Sequence, residues 1–193
     1  SGESIRERLL EKRVACDACT IACVRATKIP GSDRQGEGPE YETVWAFGAA
    51  CGVRDLESIA EANYLCNEYG LDTISAGSTI ACAMELSAAG HLSGGPRFGD
   101  ADAMVNCVRL ISERSGIGDE LSEGSLRFAR RHGHVEYSMS VKGLEIPAYD
   151  PRGVQGMGLA FATSNRGACH LRAYMTSAEI LGHPCLVDRF KTD

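Results

Sequence analysis

The stretch Asp55-Leu-Glu-Ser-Ile-Ala-Glu-Ala-Asn-Tyr-Leu-Cys-Asn-Glu-Tyr-Gly70 decides the fold, because it carries the signals that begin and end a helix. Asp55 is a good N-cap and Gly70 closes the pattern. Between them, residues at steps of three and four form the inward face: Leu56, Ile59, Ala60, Asn63 and Tyr64. Asp72 can cap a second helix over residues 74–86, which are apolar or small on nearly every side. A helix of that kind belongs in a protein interior.

The pattern after Gly90 is also mainly helical. A third helix is predicted over residues 100–115, with Met104, Val108 and Ile111 on one face. A shorter fourth helix begins at Asp119 and ends before Gly133, and its inward residues are Leu121, Phe128 and Ala129. Residues 135–146 are the only plausible strand material. The sequence therefore predicts an all-α, multihelical domain with a short extended segment.

The composition changes near Asp150, where several glycines follow within a few residues. Tyr149-Asp-Pro-Arg152 is typical of a turn that opens a helix, with Pro151 at its first position. We therefore place a domain boundary near residue 148, between residues 1–148 and 149–193.

Length and charge exclude several classes of protein. The chain has 193 residues, of which 44% are hydrophobic, so it can bury a substantial core. Its net charge is −6 and its basic residues are dispersed, which argues against nucleic acid as the main partner. No apolar run reaches the roughly 18 residues that would span a membrane, and no secretory leader opens the chain. We expect a cytoplasmic protein.

The segment Cys16-Asp-Ala-Cys19-Thr-Ile-Ala-Cys23 is the strongest functional signal. Three thiols within eight residues can converge on one metal centre, and iron–sulfur clusters are normally held by four cysteine thiolates. The C-x2-C-x3-C order is the reverse of the spacing associated with radical chemistry on S-adenosylmethionine. A fourth thiol must come from elsewhere.

Zinc and unliganded thiols are the alternatives. Structural zinc sites usually pair two cysteines with a second pair of ligands, whereas His132 and His134 are only two residues apart. A disulfide does not fit a chain without signs of secretion. The other six cysteines are scattered through apolar surroundings, and we expect most of them to fill the core: Cys51, Cys66, Cys82, Cys107, Cys169 and Cys185.

Four further segments suggest a family. They are Gly38-Pro-Glu-Tyr-Glu-Thr43, Asn67-Glu-Tyr-Gly-Leu-Asp-Thr-Ile-Ser75, Tyr149-Asp-Pro-Arg-Gly153 and Arg166-Gly-Ala-Cys-His-Leu-Arg172. Together with the cysteine segment they resemble the aldehyde ferredoxin oxidoreductases, which are tungsten–pterin enzymes that also carry one [4Fe–4S] cluster. The match runs from about residue 10 to residue 185. It implies a fragment that comprises the helical second domain, with the cluster-binding cysteines, and the beginning of the helical third domain.

The resemblance assigns roles to single residues. Cys16, Cys19 and Cys23 would be cluster ligands, and the fourth ligand would lie beyond this chain. Glu42 would be the active-site base toward water or substrate, although an acid in the first turn of a helix is also favoured by the helix dipole. His170 would donate a hydrogen bond to the substrate carbonyl oxygen, although a single histidine beside an apolar helix is more often structural.

The pterin-contacting motif of the family is D-x-x-G-L-D. Its counterpart here begins with Asn67, which lacks the charge of aspartate, and keeps Gly70, Leu71 and Asp72. The same residues fit a plain helix end followed by an N-cap. Arg172 would face the pterin or the cluster, although an exposed arginine is the ordinary interpretation.

One family feature is not expected here. Glu61 falls where some members place a ligand for a metal that bridges two subunits through an E-x-x-H motif. Tyr64 stands where the histidine would be needed, so we predict no bridging metal.

The resemblance implies oxidation of an aldehyde with water to a carboxylic acid. Electrons would pass from a tungsten (or molybdenum) bis-pterin through the [4Fe–4S] cluster to ferredoxin. The substrate, the choice of metal and a homodimer stay open, and the isolated fragment is expected to be inactive. A cluster-bearing helical electron-relay or docking protein without tungsten is the alternative, and a zinc-stabilised helical module is a third.

Overall fold

The computed structural model describes residues 2–181. Its N-terminal part is a short helix followed by a three-stranded antiparallel sheet in the order β1-β2-β3. These elements are α1 (Gly2–Arg8), β1 (Leu10–Val14), β2 (Val24–Lys28) and β3 (Gln35–Glu37). The residues buried between them and the rest of the molecule form a small apolar cluster: Ile5, Leu9, Ile29, Leu56, Ala60 and Tyr64.

This sheet corrects the expectation of an all-α fold: the protein is mainly helical, with two small sheets. Strand β1 reads Leu-Glu-Lys-Arg-Val, and every residue after Leu10 is exposed. Such a strand has no alternation of buried and exposed residues to reveal it. It forms because β2 supplies backbone partners over the pairs from Leu10–Thr27 to Val14–Val24.

The main core is built from helices. After β3 the chain enters α2 (Tyr41–Val44), which continues as a π-helical segment at Trp45–Ala50, and then α3 (Leu56–Tyr69), α4 (Thr73–Ala88) and α5 (Ala101–Glu113). Helix α4 lies in the centre, as its apolar sequence predicts. Its large buried neighbours include Phe47, Met104, Val108 and Phe128.

Local signals determine where these helices begin. The carboxylates of Asp55, Asp72 and Asp100 accept hydrogen bonds from the amides of Ser58, Ser75 and Ala103 at 2.8–2.9 Å. Gly70 ends α3 with φ of 69°, which a residue with a Cβ adopts only at a cost. The first three predicted helices and the inward faces of the first and third are confirmed.

The predicted fourth helix is two helices, α6 (Ile117–Leu121) and α7 (Ser125–Arg131). The chain breaks at Gly124, whose φ is 84°, outside the helical region. The inward residues Leu121, Phe128 and Ala129 are nevertheless buried, as predicted.

The predicted extended region contains a 3₁₀ turn (Val135–Tyr137) and a two-stranded hairpin, β4 (Ser140–Val141) and β5 (Leu144–Glu145). It is not the only strand material, because β1–β3 precede it. Two more helices follow, α8 (Gln155–Thr163) and α9 (Thr176–Glu179). Pro151 lies in a turn and not at the first position of a helix, because α8 begins four residues later. None of the helices in residues 2–181 is both long and apolar enough to cross a membrane.

Candidate functional site

Glu42 lies in the first turn of α2, and one of its two carboxylate oxygens is held by a hydrogen bond. The Ala148 amide donates a hydrogen bond of 2.8 Å to Glu42 Oε2. Glu42 Oε1 is buried and has no hydrogen-bond partner among the described residues. A buried polar atom without a partner is costly, and it is a common feature of functional sites. Glu42 therefore has one oxygen that the backbone anchors and one buried oxygen without a geometric hydrogen bond.

The segment that carries Ala148 is itself fixed to the helical core by Glu145. This carboxylate is 4% exposed. It accepts hydrogen bonds of 2.8 Å from the Ser75 hydroxyl on α4 and from both the amide and the hydroxyl of Ser125 on α7. Because Glu145 ends the β4–β5 hairpin, these contacts position the backbone that reaches Glu42.

A cavity of about 320 Å³ brings together four of the residues that the sequence singled out. Glu42, Asn67, Asp72 and His170 all line it, although more than 120 residues separate the first from the last. Asn67 comes from the last turn of α3 and Asp72 caps α4. Thr43 and Thr73 share a hydrogen bond of 2.8 Å between their hydroxyls, which joins α2 to the start of α4.

Tyr149 lies beside this cavity without lining it, and it was not among the predicted site residues. Its ring centroid lies 6.2 Å from that of Tyr41 and 5.9 Å from that of His170. Burial first, and then the negative charge of Glu42, raise the pKa of Tyr149 to about 12. The phenol therefore stays protonated near neutral pH and remains a hydrogen-bond donor. The signal in the sequence that pointed to it was the family segment Tyr149-Asp-Pro-Arg-Gly153, which begins with this residue.

Three of the five residues predicted to bind the cofactor do not line the cavity. Gly70 is the left-handed residue after α3, and Leu71 packs against the main core. Arg172 is exposed in the turn that follows His170. Gly70 and Leu71 shape the segment between Asn67 and Asp72, while nothing in the described residues connects Arg172 to the cavity.

The cysteine segment joins β1 to β2. The Cys19 amide donates a hydrogen bond of 3.0 Å to the Cys16 carbonyl, which closes a tight turn. Ala18 and Ala22, the residues before Cys19 and Cys23, have φ of 55° and 49°. Cys16 and Cys23 are exposed and Cys19 is half-buried. Within residues 2–181, no three His, Cys, Asp or Glu side chains are arranged to hold a metal, so the three thiols share a loop without converging.

The other cysteines that the structure describes are buried, as predicted: Cys51, Cys66, Cys82, Cys107 and Cys169. Burial raises the pKa of the Cys51 and Cys66 thiols to about 12 and that of Cys82 and Cys107 to about 11. These four remain neutral thiols and are poor ligands, because a metal binds the thiolate. Cys185 lies outside the described residues.

Glu61, at the position of the family's bridging-metal ligand, is held by arginines. Its carboxylate pairs with Arg34 at 2.8 Å and with Arg109 at 3.4 Å. The absence of a bridging metal stays a prediction.

Comparison with known proteins identifies the family. The family model described as aldehyde ferredoxin oxidoreductase, domains 2 and 3, matches residues 1–193. The chain belongs to this enzyme family. The tungsten-containing aldehyde ferredoxin oxidoreductases of Pyrococcus furiosus and Thermococcus kodakarensis are 50% and 49% identical to it over 195 residues. These alignments cover 97% of this chain and 32% of each relative, so the chain spans about a third of their length.

The chain is also similar, more distantly, to two proteins whose names describe other reactions. An aliphatic sulfonate oxidoreductase, WOR-like subunit, of Pyrococcus furiosus is 28% identical over 177 residues. The solved BamBC active-site complex of benzoyl coenzyme A reductase with 1,5-dienoyl-CoA superposes with a TM-score of 0.70 at 23% identity. That match covers 85% of this chain and 26% of the other, and it shows a shared fold.

Proposed function

We propose that this chain forms one wall of the active site, and supplies three cluster ligands, in an enzyme that oxidises aldehydes to carboxylic acids. The observation that supports it is the unpartnered Glu42 Oε1 in a cavity that His170 also lines. The overall reaction converts an aldehyde and water into a carboxylic acid, two electrons and two protons. Ferredoxin would accept the electrons.

The residue types present suit the two inorganic groups of the family, although the three loop thiols would have to move together to share one centre. Cys16, Cys19 and Cys23 are the accessible thiols in one short loop, while the cysteines of the helices are buried. Asn67 makes no side-chain hydrogen bond within residues 2–181, so its amide oxygen is free to accept from a pterin amine. When bound, a tungsten (or molybdenum) pterin would supply the two-electron oxidation and a [4Fe–4S] cluster would relay electrons singly.

The chain's own residues would handle the substrate and its proton. Glu42 Oε1 accepts a proton from the water that adds to the aldehyde, while the Ala148 amide holds Oε2 in place. His170 donates a hydrogen bond to the aldehyde oxygen and polarises the carbonyl. The neutral Tyr149 phenol lies beside His170, just outside the lining of the cavity, and keeps a donor near it.

The division at residue 148 also stays a proposal. It would assign Glu42 to the second domain and His170 to the beginning of the third, so that the cavity lies where the two meet. A homodimer of the complete enzyme is a further prediction.

The decisive variant is Glu42→Gln in the complete enzyme, compared with Glu123→Gln, a half-buried, ion-paired acid that does not line the cavity. We expect Glu42→Gln to lower kcat for aldehyde oxidation by about 10²- to 10⁴-fold, because amide cannot accept the proton. Tungsten and iron contents should be unchanged, and Glu123→Gln should behave as wild type. Aldehyde-dependent viologen reduction measures the rate.

Three results would contradict the proposal, and a fourth would contradict only the expected inactivity of the isolated chain. Glu42→Gln could retain the wild-type rate. Anaerobically prepared wild type could contain iron and sulfide without tungsten, which would favour an electron relay, or zinc alone, which would favour a structural module. Viologen reduction by the isolated chain of 193 residues would overturn the expectation that it is inactive.

A further inference from the structure

A groove of about 980 Å³ lies beside α1 and is separate from the Glu42 cavity. Glu40 is the single described residue that lines both spaces. The groove has the size typical of small-molecule sites. We call it the arginine groove, because Arg8, Arg25 and Arg54 line it.

The charged residues of the arginine groove favour a ligand that carries a single negative charge. Arg8 is neutralised by Glu57 at 3.0 Å and Arg25 by Glu40 at 3.0 Å. Arg54 is exposed and makes no hydrogen bond or ion pair with any residue in the described part of the chain. One guanidinium is therefore left uncompensated on a chain whose net charge is −6.

Arg25 has a donor to spare as well. Its Nη2 donates to the Pro39 carbonyl at 3.1 Å and pairs with Glu40, but its Nε is buried without an acceptor among the described residues. A buried N–H that lacks a partner is destabilising, so an acceptor that gained access to this atom would be stabilising.

The remaining wall is apolar and aromatic. Tyr41 and Trp45 lie one helical turn apart on the same face of α2 and its π-helical continuation, and Ile5 and Leu56 come from α1 and α3. Tyr41 is 63% exposed. Aromatic faces of this kind gain free energy when an apolar or planar body covers them.

We propose that the arginine groove binds an organic monocarboxylate whose apolar or aromatic body packs on Trp45 while its carboxylate binds Arg54. A guanidinium binds a carboxylate through two parallel hydrogen bonds. The single uncompensated arginine favours a monoanion over a phosphate dianion. The site stands apart from the proposed reaction and does not depend on it.

Trp45 makes the proposal measurable, because it is the only tryptophan of the chain. Its fluorescence would be titrated with phenylacetate and, as a neutral compound of the same shape, with phenylacetamide. We expect a saturable change with phenylacetate, at least about fivefold weaker binding of phenylacetamide, and weakening of phenylacetate binding by added salt. The variant Arg54→Gln should weaken phenylacetate binding about five- to tenfold.

The matched control is Arg152→Gln. Trp45 also lines a second cavity of about 550 Å³, on whose wall Arg152 lies, so this variant tests on which side of the indole the ligand binds. Phenylacetate binding should be unchanged in Arg152→Gln. Both arginines are exposed, and circular dichroism would verify that the variants are folded.

Several outcomes would overturn the proposal. One is equal affinity for phenylacetate and phenylacetamide. Another is a fluorescence change that does not saturate at phenylacetate concentrations up to about 10 mM. The third is a folded Arg54→Gln variant that binds phenylacetate like wild type. Weakening by Arg152→Gln in place of Arg54→Gln would assign the ligand to the other cavity.

Discussion

The cysteines of the helical core and those of the β1–β2 loop have opposite environments. Cys51, Cys66, Cys82 and Cys107 are buried in the main core, whereas Cys16 and Cys23 are exposed. In the core the thiol is a small apolar group, and the packing around it is complete. In the loop the thiols belong to none of the buried clusters, so their presence calls for a reason outside the folding of the chain.

The backbone of the loop supports the same contrast. Ala18 and Ala22 adopt the left-handed conformation, which costs about 1–2 kcal/mol for a residue with a Cβ. No buried cluster includes either residue, so burial does not offset that cost. A centre bound by Cys16, Cys19 and Cys23 would provide a compensating free energy, since metal binding and local order are coupled.

The largest expected effect is in thiol reactivity. In the metal-free chain, Cys16, Cys19 and Cys23 should react with iodoacetamide at least about 10³ times faster than Cys51 or Cys66. Burial raises the pKa of those two thiols to about 12, so almost no thiolate is present near pH 8, and it also blocks access. Mass spectrometry of labelled peptides measures the rates, and denaturant should abolish the difference.

The comparison would fail if a core cysteine were labelled in the native state as fast as Cys16. It would be sharpened by reconstitution with iron and sulfide in the complete enzyme. Bound metal should protect the three loop cysteines and leave the slow rates of the core cysteines unchanged.

A second prediction concerns packing. Gly77 of α4 lies against the π-helical segment so closely that an added Cβ would be 2.7 Å from Ala46 Cβ and 2.8 Å from its carbonyl carbon. Gly77→Ala should therefore lower the free energy of unfolding by about 2–3 kcal/mol, because the backbone must move. Urea denaturation followed by circular dichroism measures it.

The matched change is Gly31→Ala, in the connection between β2 and β3. It has no atom within 4 Å of an added Cβ, although its φ is 71°. Only the conformational cost of about 1 kcal/mol should be seen there. A larger effect at Gly31 than at Gly77 would contradict the close contact of α4 with the π-helical segment.

The helical part of the fold was predictable because its signals are local. Asp55, Asp72 and Asp100 each cap a helix through the amide three residues later, and such a pattern can be read without knowing the tertiary structure. The buried cysteines followed from their apolar neighbours in the same way.

What sequence reasoning missed depends on distant contacts. Strand β1 exists through its pairing with β2, and the π-helical segment at Trp45–Ala50 has no local signature. The cavity brings together Glu42 and His170, which are far apart in the sequence. The resemblance to a family singled them out, and the periodicity did not. Tyr149 was missed because its role follows from its burial beside Glu42, which only the tertiary structure shows.

The smallest predicted effect compares an acid at a helix N-terminus with one in the cysteine segment. Asp55→Ala should lower the free energy of unfolding by about 1 kcal/mol near neutral pH, because the Ser58 amide loses its acceptor. Asp17→Ala, at an exposed position that caps no helix, should stay within about 0.5 kcal/mol of wild type.

The stability difference between wild type and Asp55→Ala should depend on pH in a direction that the pKa of Asp55 determines. Hydrogen bonds from Ser58, its hydroxyl first and then its amide, lower the pKa of the Asp55 carboxyl. Its stabilisation is therefore complete above the pKa of the unfolded chain, about 3.9, and is lost as the pH falls through the lower value of the folded state. The difference between wild type and Asp55→Ala in urea denaturation should shrink as the pH is lowered from about 7 towards about 3. A difference that grows on acidification, or that Asp17→Ala reproduces, would mean that the carboxylate of Asp55 does not act as the cap of α3.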